Sequence, residues 1–223
     1  MVFLYNENAS KEHLVLKGDD FKYIIKVRRH KVADIIDFRN ENDSHTLYSY
    51  RLEEIFAREA RLSLIRKTDK KLSPKKYLHV GWCVIEQKQI EKVLPSLNEI
   101  GVSKISFIYC DRSQRNFKID TKRFHRILKA SNQQCGRSDF MEFNIYKNLD
   151  TFLKEYKDVK VFDFCDNIIS KELDFENILI GCEGGFSKDE KQKLLSYDVF
   201  ALDSDFVLRS ESAVLSIASK ILL

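Results

Sequence analysis

Glycine and proline are scarce in this chain, with seven glycines and two prolines among 223 residues. Long apolar runs are absent too: none approaches the roughly 20 residues that a membrane-spanning helix needs. The N-terminal stretch lacks the basic start and long apolar run of a secretory signal. We therefore expect a cytoplasmic protein with no membrane partner. Hydrophobic residues still make up 43% of the chain, which excludes a disordered or fibrous protein.

Cysteine occurs five times, an odd number, with no C-x-x-C pair and no histidine at ligand spacing. This pattern favours reduced thiols in a cytoplasmic protein and argues against a structural zinc site. We therefore predict no metal site, and most of the thiols are expected to be small buried hydrophobic groups. The five residues are Cys83, Cys110, Cys135, Cys165 and Cys182.

The formal net charge is only +4, which by itself is weak evidence for a nucleic-acid partner. The basic residues are nevertheless concentrated. Between Arg112 and Arg137 there are eight lysines or arginines and one acid, Asp120. This segment could contact phosphates, or it could be the solvated face of a helix.

The chain consists of two parts that differ in their secondary-structure pattern. Up to about residue 70 the pattern is strand-like, as in "VADIIDF" and "HTLYSYRLEEIFA", and the charged stretch "RKTDKKLSPKK" then indicates a linker. Beyond it, apolar strand patterns alternate with helical ones, which predicts an α/β domain with a largely parallel sheet. Helix ends are expected at Gly101 and Gly136, and a kink or a late start at Pro95. We predict domains over residues 1–70 and 74–223.

Three of the seven glycines lie in one short stretch, "IGCEGGFSKDE", which follows the apolar run "NILI". Ser187 and Glu190 have the spacing of a capping box, so a helix should begin near Lys188. The glycines therefore lie at the carboxyl end of a strand, where open α/β sheets bind ligands. The spacing matches neither a dinucleotide fingerprint nor a phosphate loop, and Glu183 would repel a polyphosphate. The stretch suits a ligand held by backbone groups, or a tight turn that holds none.

The C-terminal stretch "VLRSESAVLSIASKILL" predicts a last helix. Ser210 is the candidate N-cap, Glu211 lies in the first turn, and Arg209 precedes the helix. The apolar face of this helix is expected to be core or dimer interface. Its residues are Ala213, Val214, Ile217 and Ile221.

Taken together, "LIGCEGGFSKDE", "VLRSESAVLSIAS", "DRSQRN" and "QQCGR" resemble motifs of the RsmE family in order and spacing. The resemblance covers essentially the whole chain. It implies an enzyme that methylates N3 of a uridine in 16S ribosomal RNA with S-adenosylmethionine as cofactor. It also implies a SPOUT-type α/β domain with a trefoil knot, preceded by a PUA-like β-barrel, and a homodimer that acts on RNA of the small ribosomal subunit.

The resemblance also implies site residues. The expected cofactor-binding residues are Ile180, Gly181, Glu183, Gly184, Gly185, Leu202, Val207 and Leu208. The expected catalytic residues are Arg209 and Glu211. Arg209 would stabilise developing negative charge rather than act as a base, because its guanidinium does not deprotonate. Glu211 is expected to order the loop more than to accept a proton.

The expected RNA-binding residues come from three places. The segment "KVRR" resembles part of the family's RNA-binding domain, the basic segment contributes two arginines, and the Q-x-G-R element contributes a third. The residues are Arg28, Arg29, Arg112, Arg115 and Arg137.

The sequence departs from the family pattern at Cys182, Gln133, Ser204 and Phe206. Ser204 and Phe206 stand where glycine and arginine are usual, which removes one positive charge. Two alternatives therefore stay open: an RNA-binding protein of the same fold without catalytic activity, acting in ribosome assembly, or a SPOUT methyltransferase with another RNA target.

Overall fold

The computed structural model describes residues 2–116, 118–170 and 175–223. The chain forms two compact units. One contains Met1–Ser73 together with Asn132–Asp139, and the other contains Pro74–Ser131 and Phe140–Leu223. No feature of the sequence pattern had indicated that residues 132–139 would group with the N-terminal unit.

The N-terminal unit is built on a five-stranded sheet. Its strands are β1 (Leu4–Tyr5), β2 (His13–Lys17), β3 (Ile35–Asn40), β4 (Asp43–Ile55) and β5 (Glu59–Asp69), in the order β1-β3-β4-β5-β2. All neighbours pair antiparallel except β1 and β3. Strand β2 alternates buried and exposed residues, so one of its faces packs into the core. Leu14 and Leu16 are buried on that face, and the residues between and beside them are exposed to solvent. Strand β5 continues to Asp69, so the stretch expected to be a linker begins inside a strand.

Between β2 and β3 the chain forms α1 (Gly18–Phe21) and a π-helical segment, Lys22–Val27. Neither was evident in the sequence. The exposed Arg28 and Arg29 follow directly, and Arg29 has a φ of +60°. Non-glycine residues in this conformation are uncommon and concentrate at functional sites.

In the C-terminal unit, six strands of the described chain form an entirely parallel sheet. They are β6 (His79–Cys83), β7 (Lys104–Ile108), β8 (Glu142–Tyr146), β9 (Lys160–Phe162), β10 (Asn177–Ile180) and β11 (Val199–Phe200), in the order β11-β9-β10-β6-β7-β8. Every residue of β6 is buried, as expected for a central strand covered on both faces. The strand order reverses direction between β6 and β10, and such a switch point is where open α/β sheets bind ligands.

The helices described after β6 in chain order are α2 (Gln87–Ile100), α3 (Thr121–Cys135), α4 (Leu149–Glu155), α5 (Lys188–Leu194) and α6 (Ser210–Leu222), and the last residues of α3 belong to the N-terminal unit. Gly101 and Gly136 follow α2 and α3 with positive φ, which confirms the expected helix ends. Helix α2 begins at Gln87 and runs through Pro95, so a late start is wrong. The short elements α4 and β11 were not predicted. None of the helices described is long and apolar enough to cross a membrane.

A buried polar network crosses this sheet at His79. One ring nitrogen, Nδ1, lies 3.0 Å from Asn177 Oδ1, and Nε2 lies 2.7 Å from Ser106 Oγ. The ring also packs on Tyr156, with centroids 4.4 Å apart. Burial lowers the pKa of His79 from 6.5 to about 4, so the folded protein holds this imidazole neutral.

This network predicts acid sensitivity. His79 takes up a proton more readily in the unfolded chain, so its contribution to stability is complete above pH 6.5 and is lost as the pH falls towards 4. The difference between these two pKa values corresponds to about 3 kcal/mol of unfolding free energy. Urea unfolding at several pH values should show a shallower decline for His79→Gln, whereas the exposed His13→Gln should follow the parent protein. Parallel declines for all three proteins would contradict this account.

Candidate active site

The glycine-rich loop connects β10 to α5 at the switch point of the sheet. Gly185 turns the loop with a φ of +66°, and its N–H donates to the Cys182 carbonyl at 2.8 Å. The capping box is confirmed: Ser187 Oγ accepts from the N–H of Glu190, and the Glu190 carboxylate accepts from the N–H of Ser187. The local sequence therefore fixes both ends of the loop.

Glu190 also joins this loop to the one that follows β7. The carboxylate is buried, and while Oε2 accepts from Ser187, Oε1 accepts from the N–H of Asp111 at 2.9 Å. Ser187 Oγ in turn lies 2.5 Å from Asp111 Oδ2. Both carboxylate oxygens are thus used to position backbone. The capping box was visible in the sequence, but this second function of Glu190 was not.

Arg112 contributes to the same junction. Its guanidinium donates to the carbonyl of Gly184 at 2.5 Å. A Cβ on Gly184 would come within 3.2 Å of the Arg112 side chain. Glycine at this position therefore makes room for Arg112, whose guanidinium holds the glycine loop.

The start of α6 also contacts the loop. Ser210, expected to be the N-cap, is instead the first helical residue, and Arg209 is the N-cap without a side-chain cap bond. The Ser210 hydroxyl accepts from Trp82 Nε1 at 2.8 Å and donates to the Gly181 carbonyl at 2.7 Å. The hydroxyl is withdrawn from capping because it links the central strand β6 to the glycine loop.

These loops enclose an open cavity of about 830 Å³, counted with the solvent space at its mouth. The segments that follow β9, β10 and β11 line it, together with the first turns of α6. Seven of the eight expected cofactor residues contribute to its wall: Ile180, Gly181, Glu183, Gly185, Leu202, Val207 and Leu208. Gly184 is not part of the wall, since it faces Arg112.

Sequence reasoning missed several wall residues. Asp163 and Phe164 directly follow β9, and the rule that ligands lie at carboxyl ends of parallel strands was a signal that could have found them. Phe186 and Ser210 carried no such signal, whereas Phe206 lies in the motif that the family resemblance had already pointed to. They reach the cavity through the path of the loops.

The wall favours a ligand that is largely apolar and carries positive charge. Its side chains are mainly apolar, including five phenylalanines, and its charged members are Asp163 and Glu183. Asp163 pairs with Lys191 at 2.8 Å, which leaves the exposed Glu183 as the unpaired acid among the described wall residues. Aromatic faces and carboxylates both attract cations.

The two expected catalytic residues lie beside the cavity, not in its wall. The Arg209 side chain is exposed and makes no hydrogen bond or ion pair within the described residues, so its donors are available. Glu211 occupies the first turn of α6 as expected. One of its carboxylate oxygens, Oε2, is buried with no hydrogen-bond partner in the part of the chain that is described.

The expected RNA-binding arginines fall into different environments. Arg28 and Arg29 are exposed in the N-terminal unit, and Arg115 is exposed in the C-terminal one. Arg137 is buried, and its Nε and Nη2 donate to the two carboxylate oxygens of Asp139 at 3.1 and 3.2 Å. A guanidinium occupied in this way is not a surface contact, so we exclude Arg137 from the phosphate contacts proposed below.

The apolar face of α6 also has a defined place. Val214, Ile217 and Ile221 are buried in the core of their own unit, and Ala213 packs against that core. The expectation that this face is core is confirmed, and the alternative that it forms a dimer interface is wrong. Across the described residues, no group of three histidine, cysteine or acidic side chains is arranged to hold a metal ion.

Comparison with known proteins identifies the class. Residues 72–222 match the family model of the RNA methyltransferase domain. The chain is 40% identical to ribosomal RNA small subunit methyltransferase E of Helicobacter pylori strain 26695 and 25% identical to that of Aquifex aeolicus, with 98% of both chains covered in each case. The fold resembles the Neisseria gonorrhoeae enzyme of this name, solved with S-adenosylmethionine, at a TM-score of 0.74, 16% identity, and coverage of 98% of this chain and 96% of that one. The chain belongs to the ribosomal RNA small subunit methyltransferase E, or RsmE, family.

Proposed function

We propose that this protein transfers a methyl group from S-adenosylmethionine to N3 of a uridine in the 16S RNA of the small ribosomal subunit. The observation that carries the proposal is the cavity at the sheet's switch point, whose wall includes seven of the eight expected cofactor residues. Membership of the RsmE family supports the same reaction. The choice of N3 and of uridine rests on the family resemblance.

The wall fits this cofactor in charge and in the backbone groups that it offers. When bound, S-adenosylmethionine supplies an electrophilic methyl group on a positively charged sulfur. Glu183 and the buried wall residues Phe162, Phe186 and Phe200 offer a cation a favourable environment. Within the described residues, the backbone groups of Leu202, Val207 and Leu208 have no hydrogen-bond partner, so they can serve the polar edge of an adenine.

The reacting uracil must lose the proton on N3, and negative charge then spreads to its oxygens. Arg209 has free donors beside the cavity and suits the stabilisation of that charge. We assign Glu211 to ordering the start of α6, next to Arg209. Because N3 lies on the Watson–Crick edge, the base must be unpaired or flipped out of its helix.

The finer features of the fold are also proposals. The C-terminal segment returns to the glycine loop, where Ser210 bonds to Gly181 and Trp82, and this return suits a trefoil knot. True knots are rare, so the family resemblance is the main support. The sheet of the N-terminal unit suits a PUA-like β-barrel. We propose a cytoplasmic location, where ribosomal subunits are available.

The function is tested by mapping methylated nucleotides in ribosomal RNA from cells with and without the protein. We expect one N3-methyluridine to disappear from 16S RNA and to return when the purified protein and S-adenosylmethionine are added to the subunits. RNA binding without cofactor binding would favour the noncatalytic alternative. Loss of a methyl group from another RNA would favour a different target.

The salt dependence of RNA affinity should distinguish arginines that contact phosphates from arginines that do not. If Arg29 and Arg115 contact phosphates, each change to alanine should reduce the slope of log affinity against log salt by about 0.7 to 0.9. Arg137→Gln should leave the slope unchanged and instead lower the unfolding temperature, because it removes a buried guanidinium that pairs with the partly exposed Asp139. Filter binding across a salt series measures the slopes, and an unchanged slope in the Arg29 and Arg115 variants would refute the assignment.

The proposed homodimer has a direct test. The family resemblance implies it, but the buried face of α6 is not available as its interface. Light scattering at micromolar concentration should give twice the chain mass of 26.3 kDa. A mass of one chain across that concentration range would contradict the proposal.

A further inference from the structure

Two phenylalanines project from the cavity wall into solvent. Phe206 is 81% exposed and Phe164 is 77% exposed, whereas Phe162, Phe186 and Phe200 of the same wall are buried. The wall thus has an inner aromatic part that belongs to the core and an outer part without a partner. Large apolar groups left exposed together commonly mark a contact surface.

The exposed ring of Phe206 is presented by an ordered turn. The N–H of Phe206 donates to Ser204 Oγ at 3.2 Å, and the same hydroxyl lies 3.4 Å from the Phe206 carbonyl. Ser204 therefore holds the backbone of Phe206 from both sides while the ring remains free. Ser204 also lines the cavity, so the turn is part of its mouth.

The charges around Phe206 identify the kind of group that fits. Asp203 and Asp205 are exposed on the same turn and would repel a phosphate. A neutral flat ring meets no such repulsion. RNA-binding proteins commonly stack unpaired bases on aromatic side chains, and stacking leaves the Watson–Crick edge of the base free to react.

We propose that Phe206, together with Phe164, forms a stacking site for the flipped target uracil at the mouth of the cavity. This inference rests on the proposed function, because the base must enter where the methyl group is held. The acidic turn would then receive only the base, and the RNA backbone would be held by arginines elsewhere in the protein.

The test compares Phe206→Trp, which keeps an aromatic face, with Phe206→Leu, which keeps apolar bulk without one. Stacking contributes enough per base that its loss should weaken RNA recognition by about 5- to 150-fold. Steady-state methylation of small subunits that lack the modification should therefore show a raised RNA KM for Phe206→Leu and a near-normal one for Phe206→Trp. Leu195→Ala, at an equally exposed apolar residue outside the cavity wall, is the matched control and should behave like the parent protein.

Two further measurements keep the outcomes distinct. Calorimetry with S-adenosylhomocysteine should give the same affinity for the parent protein and both Phe206 variants, and light scattering should give the same mass. Equal RNA KM for Phe206→Leu and the parent would overturn the stacking site. Lost S-adenosylhomocysteine affinity would instead assign the ring to the cofactor, and an altered mass would assign it to an interface between copies of the chain. Failure of the parent protein to methylate RNA at all would refute the proposed function itself.

Discussion

Arg209→Ala should reduce the single-turnover rate of RNA methylation by about 10²- to 10³-fold, with little change in RNA affinity. This is the usual cost of removing one preorganised donor to a developing oxyanion. The structure leaves the Arg209 side chain without a hydrogen bond or ion pair within the described residues, directly before the α6 turn that lines the cavity. The substitution therefore breaks no ion pair described in the structure and should act on the reaction.

Three further variants define the role of this arginine. Arg209→Lys should restore little activity, because a point charge does not reproduce the planar fork of a guanidinium. Lys220→Ala, at the other end of α6, is the control for loss of a cation and should keep normal turnover. Glu211→Gln should lower turnover less than Arg209→Ala if Glu211 orders the loop. Normal turnover with weakened RNA binding in Arg209→Ala would place Arg209 among the phosphate contacts.

Much of the C-terminal unit could be predicted because its signals are local. Periodic apolar residues identified α2, and a glycine with positive φ ended that helix at residue 101. The spacing of Ser187 and Glu190 located the start of α5. Short elements such as β11 escaped because two residues carry no period, and tertiary pairing with β9 creates this strand.

The candidate site was harder to predict from the sequence where side chains have tertiary partners. Ser210 has the residue type and position of an N-cap, but it bonds to Trp82 and Gly181 instead. Arg137 appeared to be a surface cation, yet the structure buries its side chain and pairs it with the partly exposed Asp139. A local sequence pattern shows that a side chain can donate a hydrogen bond. Residues that are distant in sequence decide which acceptor the side chain meets in the folded protein.

Gly185 is the glycine whose replacement should be most damaging to cofactor binding. It lies in the cavity wall with a φ of +66°, and a Cβ there would meet no atom within 4 Å. Gly18 has nearly the same geometry, with a φ of +58° and the same free space, but it belongs to the N-terminal unit and does not line the cavity. A substituted residue would therefore be strained at either position, but only Gly185 lies in the cavity wall.

Gly185→Val and Gly18→Val should each lower the unfolding free energy by about 1–2 kcal/mol or somewhat more, because a β-branched residue is strained at positive φ. In Gly185→Val alone, the new carbons would occupy space in the cavity. A single unaccommodated methylene can cost 10- to 200-fold, so we expect at least about a 100-fold loss of affinity for S-adenosylmethionine. Calorimetry with the cofactor, beside urea unfolding of both variants, makes the comparison. Equal cofactor affinity in the two folded variants would mean that the ligand does not lie against Gly185, and the proposed cofactor site would have to be abandoned.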